Sequence, residues 1–385
     1  MPNIKRGMMG AAGVSVTYTA NVTPGAMFAW GRGSAGQLGL GDVLDRSSPT
    51  QIGALTTWKT AAGSNFGAHA VKSDGTLWGW GRNDSVFVKI GDGTAITKSS
   101  PVQIGSLTDW SKIAGGQGHV IAIKTDGTLW GWGDQSRATY LGVVGDGTII
   151  DRSSPVQIGA LTTWSAIACT TGASAGIRTD GKLFTWGDGN HGANGRGSVI
   201  DISSPVQVGS LTDWSKISSS KHGFRAVKTD GTLWVWGQNN VGQLGIGTVV
   251  TTSSPVQVGS LTDWSHGGQG PNNTNVMLIK TDGTLWGMGS NDDGALGDGT
   301  VVFRSSPVQV GTLKHWHSVA TSGLNTVAVQ TNGTLWSWGS NYKGLSGRGT
   351  ENVKASSPIQ VGTLTTWAET FAMSMGLGAI KGSAP

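Results

Sequence analysis

The sequence has a single cysteine, two glutamates and only 13% charged residues. One cysteine, Cys169, excludes an internal disulfide, so the fold does not depend on an oxidising compartment. It lies in the strand-like stretch Ser165-Ala-Ile-Ala-Cys169 and reads as a small buried hydrophobe. With Glu351 and Glu369 the only glutamates, paired-carboxylate catalysis would fall to aspartates that mostly sit in turn motifs. Gly-x-Ser-x-Gly, His-Glu-x-x-His and a phosphate-binding Gly-rich loop with lysine are all missing. We therefore expect no enzyme, no catalytic residues and no cofactor. A metal is not expected either. Asp92, Asp146 and Asp298, in Gly-Asp-Gly-Thr, offer one carboxylate per loop where calcium takes about six to eight oxygens, and turn chemistry explains them. His315 and His317 flank Trp316 and could face one way on a strand, but no further ligands accompany them.

No run of Lys or Arg exceeds two residues, and the net charge is +5. A diffuse excess of this kind favours solubility and is not a nucleic-acid footprint. No apolar run approaches the roughly 18 residues that span a bilayer, so membrane insertion is not expected. Lys5 and Arg6 precede Gly7-Met-Met-Gly-Ala-Ala-Gly-Val14, which is too short and glycine-rich for a signal peptide.

What the chain has in quantity is glycine (64), tryptophan (18) and repetition. Ser-Ser-Pro-[Val/Ile/Thr] occurs seven times, and a tryptophan follows each proline nine positions later, at Trp58, Trp110, Trp164, Trp214, Trp264, Trp316 and Trp367. A Trp-Gly pair recurs at Trp30, Trp80, Trp132, Trp186, Trp236 and Trp338, with Met288 at the remaining position. Ahead of it stands Asp-Gly-Thr-Leu-Trp or a variant, and Asp-Gly or Asn-Gly between alternating apolar runs signals a tight hairpin. Each unit reads as four strands, for example A at Trp110–Ala114, B at Val120–Lys124, C at Thr128–Trp132 and D at Pro155–Ile158. Helical periodicity is absent. Seven such units predict an all-β, seven-bladed propeller of four-stranded antiparallel blades. The last copy ends at a strand B, Gly378–Lys381, and its missing strand C stands near the other end as Ala26–Gly31. The last blade is therefore expected to be closed by both termini. Residues 1–24 would form an arm outside a propeller of residues 25–385.

The pattern Leu-Trp-x-Trp-Gly-x-Asn-x-x-Gly-Gln-Leu-Gly, clearest from Leu233 to Gly245, resembles the regulator of chromosome condensation repeat over residues 26–381. Kelch repeats have a similar period but use a Gly-Gly pair not seen here. The resemblance implies a seven-bladed propeller. Members of that family include a guanine-nucleotide exchange factor that docks on nucleosomes and a bacterial inhibitor of β-lactamases, so function does not follow from fold. The family often places Gly-x-x-His before strand B, and only His119 fits. Exchange-factor residues are therefore not carried over. The close likeness of the copies resembles bacterial or viral versions, and Lys5–Gly13 resembles the start of some tailed-phage structural proteins.

The copies diverge in the A–B loops and in the loops after Trp-Gly, which would emerge on one face of the disc. That face is the expected contact surface, with Arg82, Phe87, Lys89, Arg137, Tyr140, His191, Lys221, His222, Arg225, Asn272, Asn273, Tyr342 and Lys343 as candidate partner-binding residues. Lys5, Arg6, Met8 and Met9 are the candidates for an assembly arm. The basic residues before the hairpins (Lys72, Lys124, Arg178, Lys228, Lys280 and Lys381) read as solvated flanks, and the repeated tryptophans as core between blades. The leading expectation is a non-catalytic binding or structural propeller, a virion or surface-assembly component that contacts a host or a neighbouring subunit. Alternatives are a soluble inhibitor or regulator that caps a partner, and a nucleotide-exchange or chromatin factor. The partner would be a protein and not nucleic acid, and the location virion-associated or cytoplasmic.

Overall fold

The Trp-led unit folds as the repeat predicts. From Trp110, strand A is Trp110–Gly115, B is His119–Lys124, C is Leu129–Gly133 and D is Arg152–Gln157. They pair antiparallel in the order A-B-C-D. The computed structural model describes residues 23–84, 89–136, 141–268, 270, 273–349 and 353–382, and contains seven such sheets. We number the blades from their first tryptophan, blade 1 at Trp58 to blade 7 at Trp367. Blade 7 takes strands A (Trp367–Met373) and B (Gly376–Lys381) from one end of the chain and C (Met27–Gly31) and D (Arg46–Gln51) from the other. The join runs in register from Met27 opposite Ile380 to Gly31 opposite Gly376, so both termini close the ring.

Strand D starts earlier than the sequence suggests, because Ser-Ser-Pro lies inside it. Arg152 pairs with Gly133 and Val156 with Gly131, which leaves a bulge between them. Proline is tolerated there because D is the outer edge strand, where no donor is needed on the open side.

Strand B is apolar on both faces for a physical reason. In blade 2, Val120 and Ala122 pack towards blade 1, while Ile121 and Ile123 pack towards blade 3. The core is thus seven seams, one between each pair of neighbouring blades. Each seam holds a strand-A tryptophan. Burying one such ring removes about 150–250 Å² from water, worth up to about 4–6 kcal/mol.

The second tryptophan of strand C adds a directional link. The Trp80 indole N–H donates to the Gln37 carbonyl, Trp132 to Lys89, Trp186 to Val143, Trp236 to Ala193 and Trp338 to Ala295, at 2.9–3.1 Å. Each acceptor lies in the C–D loop of the preceding blade. Trp30 repeats the bond to Leu345 at 3.1 Å across the closing seam. Glycine is required beside each indole. Gly145 has φ +94°, and a Cβ there would sit 2.5 Å from Trp186 Nε1.

At six of the seven seams strand A packs beside strand A of the next blade around the axis. Two residues after the tryptophan stand Thr60, Lys112, Ala166, Lys216, His266, Ser318 and Glu369, all but Ala166 lining an axial cavity. Burial pushes the Glu369 carboxyl up to about 8, only partly offset by a hydrogen bond from Thr60 Oγ1 at 3.0 Å.

Trp338→Phe removes a buried indole donor and leaves the Ala295 carbonyl with Thr326 Oγ1 as its remaining donor. It should cost about 1–3 kcal/mol in urea unfolding. Trp336→Phe should cost less, since Phe184 and Phe28 already occupy its position in other blades. Equal losses would contradict the assignment. For Glu369, a folded pKa above the ordinary carboxylate value means its contribution is complete below about 4.5 and is lost as pH rises through about 8. Glu369→Gln should match the parent at pH 5 and be the more stable of the two at pH 8.5. A difference independent of pH would refute the raised pKa.

Candidate protein-contact face

The A–B and C–D loops share one face and the B–C and D–A connections the other. Arg32 N–H, after strand C, donates to Met375 O in an A–B loop, while Trp110 N–H, ending a D–A connection, donates to Gly75 O in a B–C hairpin. The hairpin face is uniform. Asp74 Oδ1 accepts from Thr76 N–H at 3.0 Å and Thr76 Oγ1 at 2.6 Å, and the same turn recurs at Asp126, Asp230 and Asp282. These bonds hold the Asp74 carboxyl down to about 2.

The hairpin-flanking bases are not solvated flanks. Lys124, Lys228 and Lys280 are buried, with Lys124 Nζ 4.3 Å from the Trp130 ring centre and Lys228 and Lys280 each 4.4 Å from Trp234 and Trp286. Each pairs with the aspartate just before its own blade's first tryptophan, Asp109, Asp213 or Asp263, at 3.2–3.4 Å. Blades 1 and 3 have threonine there, and Lys72 and Arg178 pair instead with the turn residues Asp74 and Asp180. Lys381 lies 4.6 Å from Phe28 and 5.3 Å from Trp367. Stacking on aromatic faces explains why a base recurs at this position.

On the loop face, the A–B loops form a collar. Asn65 N–H donates to Gly116 O, Gln117 to Thr171, Thr171 to Lys221 and Lys221 to Asn273, passing from blade 1 to blade 5. These backbone bonds tie the loops of neighbouring blades to one another. Asn273 is fully buried, with Nδ2 donating to Thr321 Oγ1. Arg225 is 2% exposed and donates to the carbonyls of Ser219 and Gly268. Neither presents its side chain to a partner, because both span seams. Lys89 is also buried, and its carbonyl accepts the Trp132 indole.

Other candidates stay at the surface. His191 and His222 meet across the seam between blades 3 and 4 with ring centres 4.9 Å apart, beside Lys221. Burial, then the His191 and Lys221 charges, pushes His222 down to about 4. Tyr342 is exposed, and Lys343 reaches Asp45 of blade 7 at 3.3 Å. Arg82 pairs with Asp84 at 2.5 Å. Phe87, Arg137, Tyr140 and Asn272, and the arm residues Lys5, Arg6, Met8 and Met9, lie outside the described residues. His315 precedes its strand at φ +68°, and His317 is buried. Cys169 is buried, which pushes its thiol up to about 12.

The C–D loops carry a feature that the sequence reading passed over. An aliphatic doublet stands six and five residues before the proline of five copies, at Val43-Leu44, Ile149-Ile150, Val199-Ile200, Val249-Val250 and Val301-Val302, with Ile96 and Val353 in the other two. These side chains are 52–68% exposed and crown the rim of the loop face. Side-chain amides from the same loop hold them there. Asn239 Nδ2 donates to Thr248 O (2.9 Å) and Val250 O (3.0 Å), Asn194 to Ile200 O (2.8 Å), Gln135 to Ile150 O (2.7 Å) and Asn291 to Val302 O (3.2 Å). Their constant spacing from Ser-Ser-Pro was the available signal.

Closed ring, indole links and individual loops define a class, the Trp-Gly repeat propeller that presents loops on a rigid disc. The chain belongs to the RCC1-like domain family, whose model matches residues 18–379. Human "Probable E3 ubiquitin-protein ligase HERC6" is 32% identical over 175 residues, 44% of this chain and 17% of that protein. The Arabidopsis thaliana ultraviolet-B receptor UVR8 is 32% identical over 170 residues, 42% of this chain and 37% of that protein. The matches thus span well under half the length of these relatives. Prp20p from Saccharomyces cerevisiae, whose structure was described with its binding to Gsp1p and histones, superposes with TM-score 0.84 at 19% identity over 95% of this chain and 94% of that one. Human WBSCR16 superposes with TM-score 0.80 at 17% identity over 93% of this chain and 99% of that one. At these identities the likeness is one of fold.

Proposed function

We propose that this chain is a non-catalytic protein-binding propeller whose partner docks on the rim of the loop face. The crown of exposed aliphatic side chains carries this reading. Seven loops present it, side-chain amides hold it in place in five of them before any partner arrives, and little ordering entropy remains to oppose docking there. The opposite face offers one half-exposed leucine per blade, from Leu55 to Leu364, within near-identical turns. That a propeller of the same fold is described as binding Gsp1p and histones supports protein recognition as the class. The finer reading is a structural component of a virion or surface assembly, with residues 1–24 as the attaching arm. Its support is the phage-like Lys5–Gly13 segment.

Capture from native particles or lysate of the source, read by mass spectrometry, tests the face. Ile150→Ser with Ile200→Ser and Val250→Ser should lose the partner at least tenfold. Leu161→Ser with Leu211→Ser and Leu261→Ser should retain it. The reverse pattern would overturn the proposal. Deleting residues 2–20 should abolish incorporation into particles while leaving the melting temperature unchanged. Normal incorporation would dispose of the arm.

A further inference from the structure

The axial cavity, of ≈ 160 Å³, has more cationic than anionic groups in its wall. Lys112, Lys216 and Arg225 line it, and Glu369 is the only carboxylate among the lining residues. Lys112 Nζ donates to the backbone carbonyl of Ser165 in the next blade. Arg225 Nη2 uses two more carbonyls, Ser219 O and Gly268 O, while Nε and Nη1 are buried with no hydrogen-bond partner. Lys216 stands close enough to His266 for its charge to add to burial in depressing that imidazole, pushed down to about 3. Burial also draws Arg225 down to about 9 and Lys112 to about 8, which leaves both cationic at neutral pH. Glu369, held up to about 8, is mostly protonated there and offsets little of that charge.

A buried guanidinium with two unused N–H donors is costly unless an anion completes it. Its planar donors suit a two-oxygen acceptor such as carboxylate or phosphate. A cavity of this volume admits a molecule about the size of benzene, since an engineered apolar cavity of about 150 Å³ does so. We propose that the axial cavity binds one small oxyanion, held by Arg225, with Lys216 and Lys112 in the same wall adding positive charge. The anion would neutralise the axis at the seam between blades 4 and 5, where Arg225 already joins both strands A. This site is independent of the rim, so its failure would leave partner capture untouched.

Calorimetric titration of the full chain in low-chloride buffer tests it, with inorganic phosphate and succinate as separate probes and potassium chloride as the ionic-strength control. One of the two should bind saturably with one site per chain, and which one does so distinguishes phosphate from carboxylate ligands. Lys216→Met and Arg225→Met should each weaken that binding at least tenfold, with circular dichroism confirming the fold. If Arg225→Met fails to fold, Lys112→Met takes its place in the comparison. Absence of saturable binding by either probe, or equal affinity in parent and variants, would overturn the proposal.

Discussion

The structure depends on one repeated bond, the indole N–H of a strand-C tryptophan donated to a carbonyl in the preceding blade's C–D loop. The acceptor lies 43 residues before the tryptophan in the five links within the continuous run of blades. That constancy holds although the loops differ in length. From strand C's tryptophan to the pinned carbonyl is seven residues at Trp30–Gln37, nine at Trp80–Lys89 and eleven at Trp132–Val143. The extra residues of blades 1 and 2 therefore fall before the pin. Blade 5 makes the point by exception. Its A–B loop is two residues longer, and Met288, which donates no hydrogen bond, stands where the indole would be. Gly245 keeps the close approach, since a Cβ there would sit 2.2 Å from Met288 Sδ.

The division of labour on the loop face does not need the pin. In the loop that faces Met288, Asn239 still holds the carbonyls of Thr248 and Val250, and Val249 and Val250 still face water. The A–B loops, nearer the axis, spend their polar groups on each other. Two regions that look equally variable thus have different physical roles, the A–B loops bonding to one another and the rim presenting exposed aliphatic side chains.

The blade pattern, the hairpins, the core tryptophans and the closure by both termini were legible in the sequence because they rest on local chemistry repeated seven times. Asp74-Gly75 makes its turn without help from elsewhere, and Trp30 finds its blade because strand C is missing from the last copy. What was not legible depends on neighbours across a seam. Arg225 sits in a divergent loop region and reads as a surface contact until the adjoining blade covers it. Lys124 reads as solvated because nothing local shows that Trp110 and Trp130 will lie beside it. Val249 and Val250 were visible as a repeated doublet, but apolar residues beside a strand are expected to be buried. Only the folded loop turns them outward.

The most direct measurement is hydrogen exchange of the chain alone and in complex with its captured partner, followed peptide by peptide. Slowed exchange should concentrate in the C–D loops around residues 42–45, 147–151, 197–201 and 247–251, with the hairpins at 73–76 and 229–232 unchanged. Protection centred on the hairpins and the Gly-x-Leu connections instead would show that the partner reads the uniform face, and would contradict this account.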